Sequence, residues 1–154
     1  MEMMKRSPAG TALSETIFGL LRLNSRLLTA GDRLVASLGL TSARWQILGT
    51  IVAAERPQPV AWIARDMGAN RQNIQRIVND LERDGLVEFQ PNPHHRRAQL
   101  VVLTNKGMKA YDDAMRLQAP WVNALSEGLQ TEDVEATYRV ISALRLKLEE
   151  GDAP

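Results

Sequence analysis

Cysteine is missing from all 154 residues. A disulfide framework, a thiolate zinc site and a thiol redox sensor are therefore excluded. No stretch reaches the roughly 20 apolar residues that a membrane-spanning helix needs. The basic pair Lys5-Arg6 is followed by Ser7, Pro8 and Gly10 rather than by the apolar run of a signal peptide. A soluble, cytoplasmic protein with no membrane partner is the expectation. The chain also lacks a nucleophile with a base and an orienting group, paired catalytic carboxylates and a glycine-rich phosphate loop. An enzyme is not expected, and no catalytic residue or cofactor is assigned. His94 and His95 do not make a metal site, because adjacent side chains on a tight loop project apart and no Cys or acid lies close in sequence.

Net charge is scarce too, since 19 basic and 18 acidic residues leave +1. That average hides a gradient. Between residues 68 and 109, seven Arg and Lys stand against four acids, giving +3. Between 131 and 154, three basic residues stand against six acids, giving −3. A basic centre and an acidic end suit a module that presents one face to phosphates. Composition, at 44% hydrophobic and 24% charged, is that of a folded protein with one domain or one domain and an extension.

What is present centres on residues 60–81, VAWIARDMGANRQNIQRIVNDL. Ile63 and Met67 share one face of a short helix. Ile74, Ile77, Val78 and Leu81 form the i, i+3, i+4, i+7 stripe of a second. Gly68 supplies the positive φ that a tight turn between them requires. Small Ala64 lets two steeply crossed helices approach, and the spacing Ala64, Gly68, Ile74 is that of a helix-turn-helix.

At 100° per residue, the stripe sends Gln72, Gln75, Arg76, Asn79 and Arg83 outward, and Arg71 in the first turn is a further candidate for DNA contact. Amide and guanidinium groups bond base edges and phosphates. A merely solvated face would more often carry Glu and Lys four apart. Acids occur only near the far end, at Asp80, Glu82 and Asp84. Spacing and face chemistry together predict DNA reading.

The flanks extend the pattern. Residues 1–11 are expected to be a disordered lead. A long helix follows from about Ala12 to Ser37, with Leu13, Ile17 and Leu20 beginning an apolar stripe longer than a small core needs, so a partner surface is predicted there. Gly31-Asp32 is a place where it can bend. Thr41 caps a second helix over 42–54, with Trp45, Leu48, Ile51 and Val52 inward. Residues 55–59 read as a break, with Pro59 opening the next helix.

After Gly85 the pattern turns to strands, over 86–90 and 98–103, around the loop Pro91-Asn92-Pro93-His94-His95-Arg96-Arg97. Two strands around a basic tip make a wing. Its His95, Arg96 and Arg97 are candidate DNA contacts, because arginine enters a narrow minor groove favourably. Thr104 caps a helix over 105–127 that carries Pro120. Thr131, as a cap, starts the last helix, where Val134, Tyr138, Ile141, Leu144 and Leu148 form a second long stripe. Residues 150–154 are expected to be a flexible tail.

The predicted fold class is mainly α with a small β-wing (α+β). Two motifs carry a family resemblance: Asn79-Asp80-Leu81-Glu82-Arg83-Asp84-Gly85-Leu86-Val87, and the wing exit Arg96-Arg97-Ala98-Gln99-Leu100-Val101-Val102-Leu103-Thr104-Asn105-Lys106-Gly107. With the element order they resemble the MarR family of bacterial transcription regulators over about residues 12–149. The resemblance implies a homodimer built by helices in 12–40 and 105–149, with a winged helix-turn-helix over 41–104. It implies that Leu13, Ile17, Leu20, Val134, Tyr138, Ile141, Leu144 and Leu148 serve dimerisation, and that a pseudopalindromic operator on double-stranded DNA is bound, usually by a repressor.

Release by a small aromatic or phenolic effector is a further implication of the resemblance. Family wings often carry acids where this chain has Asn92 and His95, and one of those acids commonly braces a wing arginine; the resemblance therefore implies a differently held wing. A winged-helix protein-interaction module without a DNA site is the alternative, opposed by the acid-poor outward face.

Overall fold

A computed structural model describes residues 4–151. Residues 1–3 of the predicted lead and 152–154 of the predicted tail lie outside the described residues. The chain divides into two compact units between Gln118 and Ala119.

In the first unit, helix α1 runs Pro8–Val35, earlier than the predicted start near Ala12. Ser7 accepts a bond from the Gly10 N–H on its Oγ at 3.0 Å, and Pro8 takes a first-turn position where its missing N–H costs nothing. Residues 8–11 are therefore helical rather than disordered. Leu28 and Asp32 tie α1 to α2 (Ser42–Ala53): the buried Ser42 donates its N–H to Asp32 Oδ1 and its hydroxyl to the Leu28 carbonyl, both at 2.7 Å. Thr41 caps α2 as expected, accepting from the Arg44 N–H.

The inward face of α2 differs from the prediction. Ile47 and Leu48 are fully buried, Trp45 and Ile51 are half-buried against the core, and Val52 is exposed. Helix α2 is apolar on nearly every side, so periodicity could not choose its face.

Helices α3 (Val60–Met67) and α4 (Arg71–Arg83) form the helix-turn-helix. Gly68 sits between them at φ 61°, in the left-handed region, where a side chain would be strained. Asn70 caps α4 by accepting from the Asn73 N–H at 3.1 Å. Ile63, Ala64, Ile74, Ile77, Val78 and Leu81 are buried together, as their spacing predicted.

The wing contains strands β2 (Val87–Gln90) and β3 (Leu100–Leu103), the latter shorter than the predicted 98–103. A two-residue strand β1 (Gln58–Pro59) lies in the predicted break. The sheet is antiparallel in the order β1-β3-β2, with Pro59 opposite Leu100 and Phe89 opposite Val101. Proline is tolerated in β1 because an edge strand can spare one donor; two residues are too few to show alternation.

Thr104 joins wing to helix, donating its hydroxyl to the Gly85 carbonyl at 2.6 Å and accepting from the Gly107 N–H at 3.0 Å. Helix α5 runs Asn105–Leu125, with Pro120 inside it. A Cβ added at Gly107 would collide with the Leu86 carbonyl, so only glycine permits that approach.

The second unit holds the end of α5, a turn at Gly128 with φ 79°, and α6 (Thr131–Gly151). Two expectations change there. Thr131 is the first helical residue, and the Gln130 carbonyl accepts from the Asp133 and Val134 N–H groups. The helix also continues through residues 150 and 151 of the predicted tail.

Candidate nucleic-acid interface

Helix α4 presents what its sequence promised. Ile74, Ile77, Val78 and Leu81 anchor it from beneath, leaving Arg71, Gln72, Arg76 and Asn79 exposed and Gln75 half-buried. Two short bonds pre-order this face. Gln75 Nε2 donates to Asn79 Oδ1 at 2.9 Å, and Arg76 Nη2 donates to Asn73 Oδ1 at 2.8 Å. Restricting rotamers before binding reduces the entropy lost on contact. Asn73, exposed in the first turn and holding Arg76, was missed by the sequence reading, as was the cap Asn70. The signal for Asn70 was available, since Asn before a helical stripe is a favoured cap.

The far end of α4 is electrostatically closed. Arg83 Nη1 lies 3.2 Å from Asp80 Oδ1 and its Nε 3.5 Å from Asp84 Oδ1. Asp84 also meets Arg44 at 3.0 Å, and Lys106 Nζ donates to the Asp84 carbonyl at 2.8 Å. Such half-exposed pairs contribute only about 0–1 kcal/mol each. Their consequence for the site is larger: helical angle alone sends Arg83 outward, but its charge is engaged by neighbours.

The wing is held by Asn92. Its Nδ2 donates to the Ala98 carbonyl at 2.9 Å and its Oδ1 accepts from the His94 N–H at 3.0 Å. An uncharged amide thus braces this loop, so no acid is needed beside the arginines. His95, Arg96 and Arg97 are exposed, and none is in an ion pair among the described residues.

The fold brings four of the predicted residues to one cleft: Arg71, Gln75 and Asn79 from α4, and Arg97 from the wing. Gln99 shares that cleft, and no acid lines it. Gln72 lies beside Arg71 and Gln75 in a shallower depression, Arg76 stands apart, and His95 belongs to a different cleft under the wing. Arg96 lines neither of the two wing clefts.

The residues assigned to dimerisation fall on two helices. On α1, Leu13 and Leu20 are half-buried and Ile17 is 42% exposed; on α6, Leu144 is half-buried while Val134, Tyr138, Ile141 and Leu148 are exposed. Among the described residues no group of three or more His, Cys, Asp or Glu could hold a metal ion, and no helix is long and apolar enough to cross a membrane.

A helix-turn-helix followed by a braced two-strand wing, with amides and guanidinium groups converging between them, defines a winged helix-turn-helix protein. A sequence model described as the MarR family matches residues 38–98. The uncharacterized protein Rv2011c of Mycobacterium tuberculosis is 32% identical over 137 residues, covering 86% of this chain and 94% of its own. The transcriptional activatory protein BadR of Rhodopseudomonas palustris is 33% identical over 100 residues, 62% of this chain and 55% of its own.

Among solved structures, the transcriptional repressor CouR bound to a 23-mer DNA duplex superposes with a TM-score of 0.75 at 24% identity, covering 92% of this chain and 99% of that one. CouR from Rhodococcus jostii RHA1 is also solved bound to p-coumaroyl-CoA. The chain belongs to the MarR family of transcriptional regulators, whose members bind DNA, and it is a regulator rather than an enzyme.

Proposed function

We propose that the protein is a cytoplasmic, homodimeric transcriptional repressor that reads a pseudopalindromic operator. In this reading α4 enters the major groove, with Arg71, Gln72, Gln75, Arg76 and Asn79 at base edges and phosphates, and the wing residues His95, Arg96 and Arg97 lie on the flanking minor groove. The observation that carries it is the acid-free cleft that joins Arg71, Gln75 and Asn79 to Arg97. Groups from two elements that converge on one surface can follow a groove and its backbone together.

The dimer is supported by unpartnered apolar side chains. On α1 Phe18 and Leu21 are each 63% exposed, and on α6 Tyr138 and Leu148 are 71% and 70% exposed. Surfaces of that kind are covered in a working protein. A second copy would repeat the recognition helix about 34–36 Å away, one turn of the duplex. A small aromatic or phenolic effector would release the DNA by changing that separation, because an equilibrium moves only by differential affinity for its two states.

Selection of bound fragments from genomic DNA, followed by binding measurements with Arg76→Ala, tests the proposal. The substitution is expected to cost about 1–3 kcal/mol on the selected site and less on random DNA, as loss of a bidentate base contact would. An unchanged ratio of the two affinities removes Arg76 from the base-reading set. Failure to enrich any sequence, or sedimentation as a monomer, refutes the proposal as a whole.

A further inference from the structure

Helix α4 ties its outward side chains together in couples. Arg76 Nη2 donates to Asn73 Oδ1 at 2.8 Å, one turn back. Gln75 Nε2 donates to Asn79 Oδ1 at 2.9 Å, one turn on. The couples occupy different sides of the outward face: Gln75 and Asn79 line the cleft shared with Arg97 of the wing, whereas Asn73 and Arg76 do not. Both couples are anchored. The Asn73 N–H is capped by Asn70 Oδ1 at 3.1 Å, and Gln75 is half-buried.

What each couple leaves free decides what it can read. The bond to Asn73 uses one donor of Arg76, and the guanidinium keeps a fork of parallel N–H groups that no acid engages among the described residues. Parallel donors match the acceptors O6 and N7 of guanine. Gln75 spends one proton of its amide nitrogen on Asn79; its other proton and its Oε1 have no partner among the described residues. A donor beside an acceptor matches N7 and the N6 amino group of adenine. Asn73 and Asn79 each hold a neighbour through an oxygen, so two residues read and two position.

We propose that each operator half-site carries a guanine read by Arg76 and an adenine read by Gln75, with Asn73 and Asn79 as the positioning residues that aim them. The two bases belong to different base pairs, because the couples lie on different sides of the helix. A held side chain loses less rotamer freedom on contact and cannot swing to a neighbouring base, so the holders contribute discrimination as well as affinity. The inference rests on the reading of α4 as the helix in the major groove.

The full-length protein and its selected genomic site test it, with single purines replaced by 7-deaza analogues that lack the N7 acceptor. Wild-type protein is expected to lose about fivefold or more per half-site at one guanine and at one adenine. The guanine loss should vanish in Arg76→Ala and the adenine loss in Gln75→Ala. Asn73→Ala should remove most of the guanine loss, and Asn73→Asp, which keeps the acceptor, should restore it. The added acid weakens binding to all DNA, but the ratio of normal to deaza site cancels that general effect. Asn79→Ala and Asn79→Asp should act likewise on the adenine. Deaza losses that persist in the alanine variants of the two holders overturn the positioning role, and losses that persist in Arg76→Ala or Gln75→Ala overturn the base assignment. Protein that selects a sequence yet shows no deaza loss overturns this inference alone; failure to select any sequence overturns the operator reading with it.

Discussion

Replacing Arg97 with alanine should flatten the salt dependence of DNA binding, and replacing Arg83 should not. Both side chains are exposed arginines, so charge counting treats them alike. Their surroundings differ. Arg83 lies 3.2 Å from Asp80 and 3.5 Å from Asp84, whereas Arg97 faces the cleft with Arg71, Gln75 and Asn79 and has no acid beside it. Each phosphate neutralised releases counterions worth about 0.9 in the slope of log K against log salt.

A dimer carries Arg97 twice, so Arg97→Ala should lower the slope by roughly 1.8, about tenfold in affinity between ~50 and ~200 mM salt. That is about 1.4 kcal/mol. Fluorescence anisotropy of a labelled operator across that range measures it. Arg83→Ala should leave the slope near the wild-type value, because the charge it removes was already balanced. An unchanged slope for Arg97→Ala, or an equal flattening for both variants, refutes the argument that ion pairing selects the working arginine.

Three further substitutions probe the frame that presents the site. Asn92→Ala removes the bonds to the Ala98 carbonyl and from the His94 N–H; at about 0.5–1.5 kcal/mol each it should speed His94 amide exchange, weaken DNA binding and lower the unfolding free energy by about 1–3 kcal/mol, and unaltered exchange would show that Asn92 is no brace. Leu81→Ala, at a fully buried position, should cost about 2.7–5 kcal/mol in urea unfolding; a loss under about 1 kcal/mol would mean α4 is not clamped from beneath. Gly107→Ala puts a methyl into the Leu86 carbonyl; overpacking of about 1–3 kcal/mol should lower the melting temperature, and an unchanged transition would mean α5 can yield at that point.

Much of the site was legible in the residues because its signals are local. A helix stripe repeats every three to four residues, and Gly68 and Gly85 mark turns wherever they occur; both are left-handed, at φ 61° and 78°. The buried face of α4, and therefore its outward amides and arginines, followed from that period alone. Where the period carried no contrast the reading failed. Helix α2 is apolar almost all round, so Ile47 went unrecognised and Val52 was wrongly turned inward. Strand β1 exists only through its pairing with β3.

The residues by themselves thus determined a helix-turn-helix, a basic wing and two surplus apolar stripes, since each depends on neighbours a turn or a hairpin away. Tertiary structure decided which cations are free to bind and which are spent. Arg44 meets Asp84 across 40 positions of sequence, Asn92 rather than an acid holds the wing, and Arg97 rather than Arg96 shares the cleft of α4. An ion pair or a cleft is a matter of distance in space, and distance between remote residues is set only when the chain has packed.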